Sequence, residues 1–153
     1  MDRLERAAIV LALVQKLQQY HSWCGETHIQ KSTYFLKELT QMPLDYDFIL
    51  YKHGPYSFGL TDELTAMRAD AMLRIKAQPY PYGPGLVPGN TSQEVMELYP
   101  ETTAAYAAAV EFVARNFGNK GIAELERLST ALFVTREMRM SSESGDRARR
   151  LHE

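Results

Sequence analysis

The stretch Tyr46-Asp47-Phe48-Ile49-Leu50-Tyr51-Lys52-His53-Gly54-Pro55-Tyr56-Ser57 decides how the fold is read. Its first seven residues are aromatic or branched for the most part and too few for a helix, which predicts a short strand or extended segment. His53 to Ser57 predicts a turn. Pro55 fixes its own φ and restricts Gly54, and a glycine there is expected at positive φ or against another backbone. Ser57 or Thr61 then caps a helix carrying Leu60, Leu64 and Met67 inward, with Asp62 and Glu63 in its first turn, where the helix dipole favours acids.

On the amino-terminal side, nothing breaks a helix from Asp2 to about Tyr20. Leu4, Ala8, Leu11, Val14 and Leu17 recur at helical spacing, and Ile9, Val10 and Leu13 widen the apolar face, so this helix is expected to be central and covered on most sides. After the break at His21 to Glu26, Thr27 and Gln30 match a capping box. The helix they open is expected to turn Ile29, Ser32, Thr33, Leu36 and Leu39 inward and His28, Lys31, Lys37, Glu38 and Gln41 to solvent, ending at Met42-Pro43.

On the carboxyl-terminal side, Met72 to Lys76 predicts a second short strand. Gln78 to Gly89 interleaves four prolines with three glycines, a density no helix survives, and predicts a projecting hairpin or irregular loop. A connector from Ser92 to Tyr99 leads to an amphipathic helix after Pro100 (Tyr106, Val110, Val113, Phe117) that ends at Gly118. A last helix from Ile122 carries Leu125, Leu128, Leu132 and Phe133, and the short link between these two predicts antiparallel packing. Beyond Met140 the apolar residues thin out. The order predicts an α+β, mostly α fold: a winged-helix-like core with a helical carboxyl-terminal extension, residues 1–140 forming one domain and 141–153 a flexible tail. Leu11, Leu36, Phe48, Leu64 and Val110 are expected to be buried.

With 153 residues, 45% hydrophobic and 24% charged, the chain can bury a core without metal or disulfide, and its single Cys24 forms no internal bridge. The apolar run Ala7 to Val14 is far short of the about 20 residues that span a bilayer. Its flanks lack the pattern of a signal peptide, so no membrane association and a cytoplasmic location are expected.

The string Ile29-Gln30-Lys31 with Tyr34-Phe35-Leu36, then Phe48, Tyr51, Gly54-Pro55-Tyr56-Ser57, Leu60 and Leu64, resembles the YwgA-like bacterial proteins and, more distantly, the SocA-like Panacea domain. The resemblance covers about residues 5–90. It implies a small winged-helix-like module without a known catalytic centre, and through the Panacea domain an antitoxin that neutralises a partner toxin, in some cases as an adaptor for proteolysis. Tyr56 stands where many Panacea sequences carry a small aliphatic residue, and residues 100–153 lie outside the resemblance.

The residues carry little catalytic chemistry. His21, His28, His53 and His152 show no metal-ligand spacing, a cluster of His21, Cys24 and His28 is outweighed by Cys24 as a buried thiol, and no nucleophile elbow or phosphate loop is present. No catalytic residue, metal or cofactor is therefore expected. Asp45 and Asp47 share one face of an extended segment and read as a solvated acidic edge. His53, in a rigid turn between aromatic residues, is the titratable group of most interest.

The net charge of −2 weighs against a phosphate-neutralising protein. The helix after Ser57 sets Asp62, Glu63 and Asp70 against Arg68, and Gln78 to Gly89 contains no Lys or Arg, so both surfaces that a winged helix lays on DNA lack cations. Lys31 and Lys37 offer a small basic strip. Residues 115–153 hold eight Lys or Arg against six Asp or Glu, a modest excess that includes Arg147, Arg149 and Arg150. Tyr80 and Tyr82 in the proline-rich loop suit interface anchors, unless their rings fold back onto the core. The expected function is a non-enzymatic protein-interaction module, antitoxin-like or a regulatory adaptor. Its protein partner, a toxin in the leading case, would be bound through Tyr56, Tyr80, Tyr82, His53, Lys31 and Lys37. The alternative is a winged-helix DNA-binding transcription regulator; a homodimer stays open.

Overall fold

Asp2 opens the first helix because its carboxylate accepts the Glu5 amide at 2.9 Å. The helix, α1 (Arg3–Gln19), is the central element: Ala7 to Leu11, Leu13, Val14 and Leu17 are buried around most of its circumference. The computed structural model describes the backbone of residues 1–152 and the side chains of residues 1–145. After α1 come α2 (Glu26–Thr40), β1 (Ile49–Tyr51), β2 (Gly54–Tyr56), α3 (Phe58–Ala69), β3 (Leu73–Lys76), β4 (Gly85–Pro88), α4 (Ser92–Glu97), α5 (Pro100–Phe117) and α6 (Ile122–His152). The chain is α+β and mostly α, with two separate two-stranded antiparallel sheets. Leu11, Leu36, Phe48, Leu64 and Val110 all lie in one core.

Lys52-His53 alone form the loop between β1 and β2, so Gly54-Pro55-Tyr56, expected as turn, is a strand paired with Ile49 to Tyr51. Gly54 makes this possible at φ +114°, a conformation that L side chains rarely adopt. Pro55 faces Leu50 in the pair that exchanges no ladder hydrogen bond, so its missing N–H costs the sheet nothing. Before β1 the chain is extended, burying Met42, Leu44, Tyr46 and Phe48 while Asp45 and Asp47 face outward. Arg6 ties this segment to α1 and α3: its Nε donates to Glu63 at 2.9 Å, and the Tyr46 hydroxyl donates to the same carboxylate.

Helix α2 departs most from expectation. It packs on α5, α6 and β2 together, so every residue from His28 to Phe35 is buried, including His28 and Lys31, for which helical spacing predicts a solvent face. Thr27 does not cap it; Gly25 is the N-cap and makes no side-chain bond. Gln30 instead reaches across to α3: its Nε2 donates to the Ser57 carbonyl at 2.8 Å and its Oε1 accepts the Ser57 amide at 3.0 Å. Leu39, expected inside, is exposed in the last turn, where the cover ends. Ser57 caps α3 through the Leu60 amide at 3.1 Å, which leaves Asp62 and Glu63 beyond the first turn.

The last two long helices do not form an antiparallel pair. Each packs on α2, and α5 runs chiefly along α1; the Phe35 and Phe117 rings stack at 4.0 Å between α2 and α5. Helix α6 continues to His152 instead of ending near Met140, so the expected tail is helical through His152, and residues 141–145 are exposed. Ser, Glu, Arg and Ala in that stretch are compatible with continuing a helix already nucleated upstream, even with no apolar face to bury.

Candidate functional site

The β1–β2 hairpin sets three of the expected site residues around one cavity. Lys31 rises from α2 with only 3% of its surface exposed, and its Nζ donates to the Pro55 carbonyl at 2.8 Å. Burial lowers its pKa, and the negative charge of Glu126 on α6 opposes that shift. A cavity of about 130 Å³ lies between them, lined also by Tyr51, His53, Tyr56 and Thr27. His53 Nδ1 is 4.0 Å from the Glu126 carboxylate, with its side chain 73% exposed. The imidazole thus stands at the mouth of the cavity and the ammonium at its floor.

A second layer of polar contacts holds the hairpin to the helices. Glu26 accepts the Thr61 hydroxyl at 2.9 Å and the Tyr56 hydroxyl at 3.3 Å. Tyr56 is thereby fixed at its polar end, and its ring is free to pack outward. It does so in a triangle: Tyr56 to Phe58 at 5.1 Å, Tyr51 to Phe58 at 5.2 Å and Tyr51 to Tyr56 at 5.6 Å between centroids. Phe58 is half exposed, and Ile49 and Leu50 beside it are exposed as well. Large apolar side chains gathered this way at a surface mark a contact site more often than the same number scattered.

The remaining expected residues lie elsewhere. Tyr80 stands at the tip of the proline-rich loop with 98% of its surface exposed, whereas Tyr82 folds back on Trp23 at 4.7 Å between ring centroids, so the two rings divide between display and packing. Gly85 lets this loop close on the α1–α2 connection, because a Cβ there would meet the Trp23 carbonyl at 2.2 Å. Lys37 donates to the Tyr46 carbonyl and lies over the Phe48 ring. With Lys31 buried and Lys37 tied down, the basic strip expected on α2 does not exist as a surface.

Cys24 is buried at φ +53°, and burial pushes its thiol up to about 11, so it is protonated and unreactive at neutral pH. Among the described residues no three of His, Cys, Asp and Glu gather as a metal site, and no helix is long and apolar enough to cross a membrane. Across known proteins, no family model matches the chain and no curated protein matches it. The site therefore rests on its own geometry. Phe58, Glu26 and Glu126 belong to it although the sequence does not single them out, and Tyr51 stands out there only through the family resemblance; the one further signal for Tyr51 and Phe58 is the crowding of aromatic residues on either side of a two-residue turn.

Proposed function

We propose that this chain is a protein-interaction module, antitoxin-like or a regulatory adaptor without catalytic activity of its own, working in the cytoplasm. The observation that carries this reading is the surface triangle of exposed Tyr51 and Phe58 with half-buried Tyr56, set where the hairpin meets α3 and held by Lys31, Gln30 and Glu26. Rigid aromatic side chains of this kind lose little entropy on binding and serve as anchors of protein interfaces. The more distant resemblance of about residues 5–90 to the Panacea domain favours a toxin as the partner.

A second reading, a DNA-binding regulator, draws on Arg68 at the end of α3 and Arg74 on β3, which flank a concavity of about 550 Å³. Two cations neutralise few phosphates, and the exposed Asp62 on α3 and Asp70 at its carboxyl-terminal cap set acids beside them. The test is co-expression with the product of the neighbouring reading frame, followed by size-exclusion chromatography. A complex that Phe58→Ala weakens by about 2 kcal/mol or more supports the interaction reading. No complex, together with duplex binding tighter than about 10⁻⁶ M at about 150 mM salt, overturns it in favour of the regulator.

A further inference from the structure

The two edges of the β1–β2 hairpin are chemically unlike. Because Tyr51 and Gly54 flank a two-residue loop, they form the hydrogen-bonded pair, and in the next pair Leu50 and Pro55 direct their backbone groups away from each other. On the outer edge of β2, Pro55 has no N–H to offer and its carbonyl is taken by Lys31 Nζ at 2.8 Å. That edge is closed. On the outer edge of β1, no backbone bond beyond the ladder engages Ile49, Leu50 or Tyr51 among the described residues, and all three are exposed, Leu50 at 53%. A groove of about 720 Å³ opens between α6 and the hairpin, where Leu50 of the free edge joins Ala131 and Val134 in its apolar lining and Gly54 of β2 also borders it. Lys52 and Arg127 supply cations, Arg127 with its side chain 74% exposed and 3.9 Å from Glu124 on its own helix, and Glu126 is the one carboxylate lining the groove.

We propose that an extended, acidic peptide segment of the partner protein adds to the hairpin as a third strand along the outer edge of β1. Main-chain bonds from the peptide to the Leu50 N–H and carbonyl fix its register, one side of the strand lies on Val134 and Ala131, and its carboxylates meet Lys52 and Arg127. The proposal rests on the interaction reading and names its mode of binding. Pairing through one edge follows from the closure of the other, since an open strand edge is a template for a further strand and Pro55 with Lys31 blunts only β2.

The test uses the full chain and a displayed library of short linear peptides as probe. Recovered peptides are expected to alternate apolar with acidic residues. Leu50→Pro deletes the outward N–H without removing a ladder bond and is expected to weaken them about tenfold or more. Leu50→Ala keeps the backbone and is expected to change binding less, and Arg127→Glu is expected to weaken acidic peptides selectively. Hydrogen exchange of the Leu50 amide, read on the unaltered protein, slows when peptide is added, which keeps the test valid if Leu50→Pro fails to fold. Leu50 exchange unchanged by bound peptide, or a library yielding no binder, overturns the proposal. Dimerisation of the chain that Leu50→Pro abolishes also overturns it, by giving the edge to a second copy. A partner complex sensitive to Phe58→Ala but not to Leu50→Pro leaves the interaction reading standing and removes strand addition.

Discussion

Gly54 lies against Thr130: a Cβ built on Gly54 would come within 2.6 Å of the Thr130 hydroxyl. The hairpin turn and α6 are thus in contact through the one residue that has no side chain. Two costs are stacked at this position, the φ of +114° and the missing space.

Gly54→Ala is therefore expected to destabilise by about 1 to 3 kcal/mol from the backbone alone, with the contact adding to it. Adding Thr130→Ala to Gly54→Ala relieves the contact and recovers part of the loss, while the backbone share stays. Urea unfolding of the single and double variants separates the two. Full recovery would place the whole effect in the contact.

Gln30 is the latch between α2 and the start of α3. Gln30→Ala strands the Ser57 amide and carbonyl in the interior, for an expected loss of about 2 kcal/mol or more. Ser57 amide exchange should quicken at the same time, and an unchanged exchange rate would show that water replaces the amide.

Burial holds the His28 imidazole neutral, pushing its pKa down to about 4 from the ordinary 6.5. The unfolded chain takes up this proton near 6.5 and the folded chain only near 4, so stability is complete above 6.5 and drains as pH falls across that window. The drop amounts to about 3 kcal/mol at most. His28→Gln is expected to flatten this part of the pH profile, measured by denaturant midpoints. Equal slopes in both proteins would assign the acid sensitivity to other groups.

Leu64 sits inside the core from α3. Leu64→Ala is expected to cost about 2 to 5 kcal/mol, in step with the cavity left behind. A thermal midpoint unmoved by the change would mean that α3 turns another face inward.

The regular elements were legible because their signals are local. Apolar spacing marks α1, α3 and α5, Ser57 marks the start of α3, and Gly54 before Pro55 marks a backbone that only glycine fits. What escaped depends on contacts from far along the chain. Lys31 reads as a solvent residue on a helical wheel, and only the presence of β2 and α6 over that face buries its stem and gives its Nζ the Pro55 carbonyl. Pro55 argues against a strand until its pairing with Leu50 shows that its missing donor faces away from the ladder. Half of the site follows the same rule: Tyr56 and His53 stand out by their turn, whereas Glu126 is brought there by α6 from 73 residues beyond His53.

The central position of α1 also bears on the order in which the chain comes into being. Its heaviest packing is with α5, and Glu5 receives its hydrogen bond from Thr102, 97 residues further on. During synthesis at about 5 to 20 residues per second, α1 waits several seconds for α5 to follow it. For that interval the face of α1 that meets α5 stands uncovered, an apolar surface of the kind that a holdase recognises.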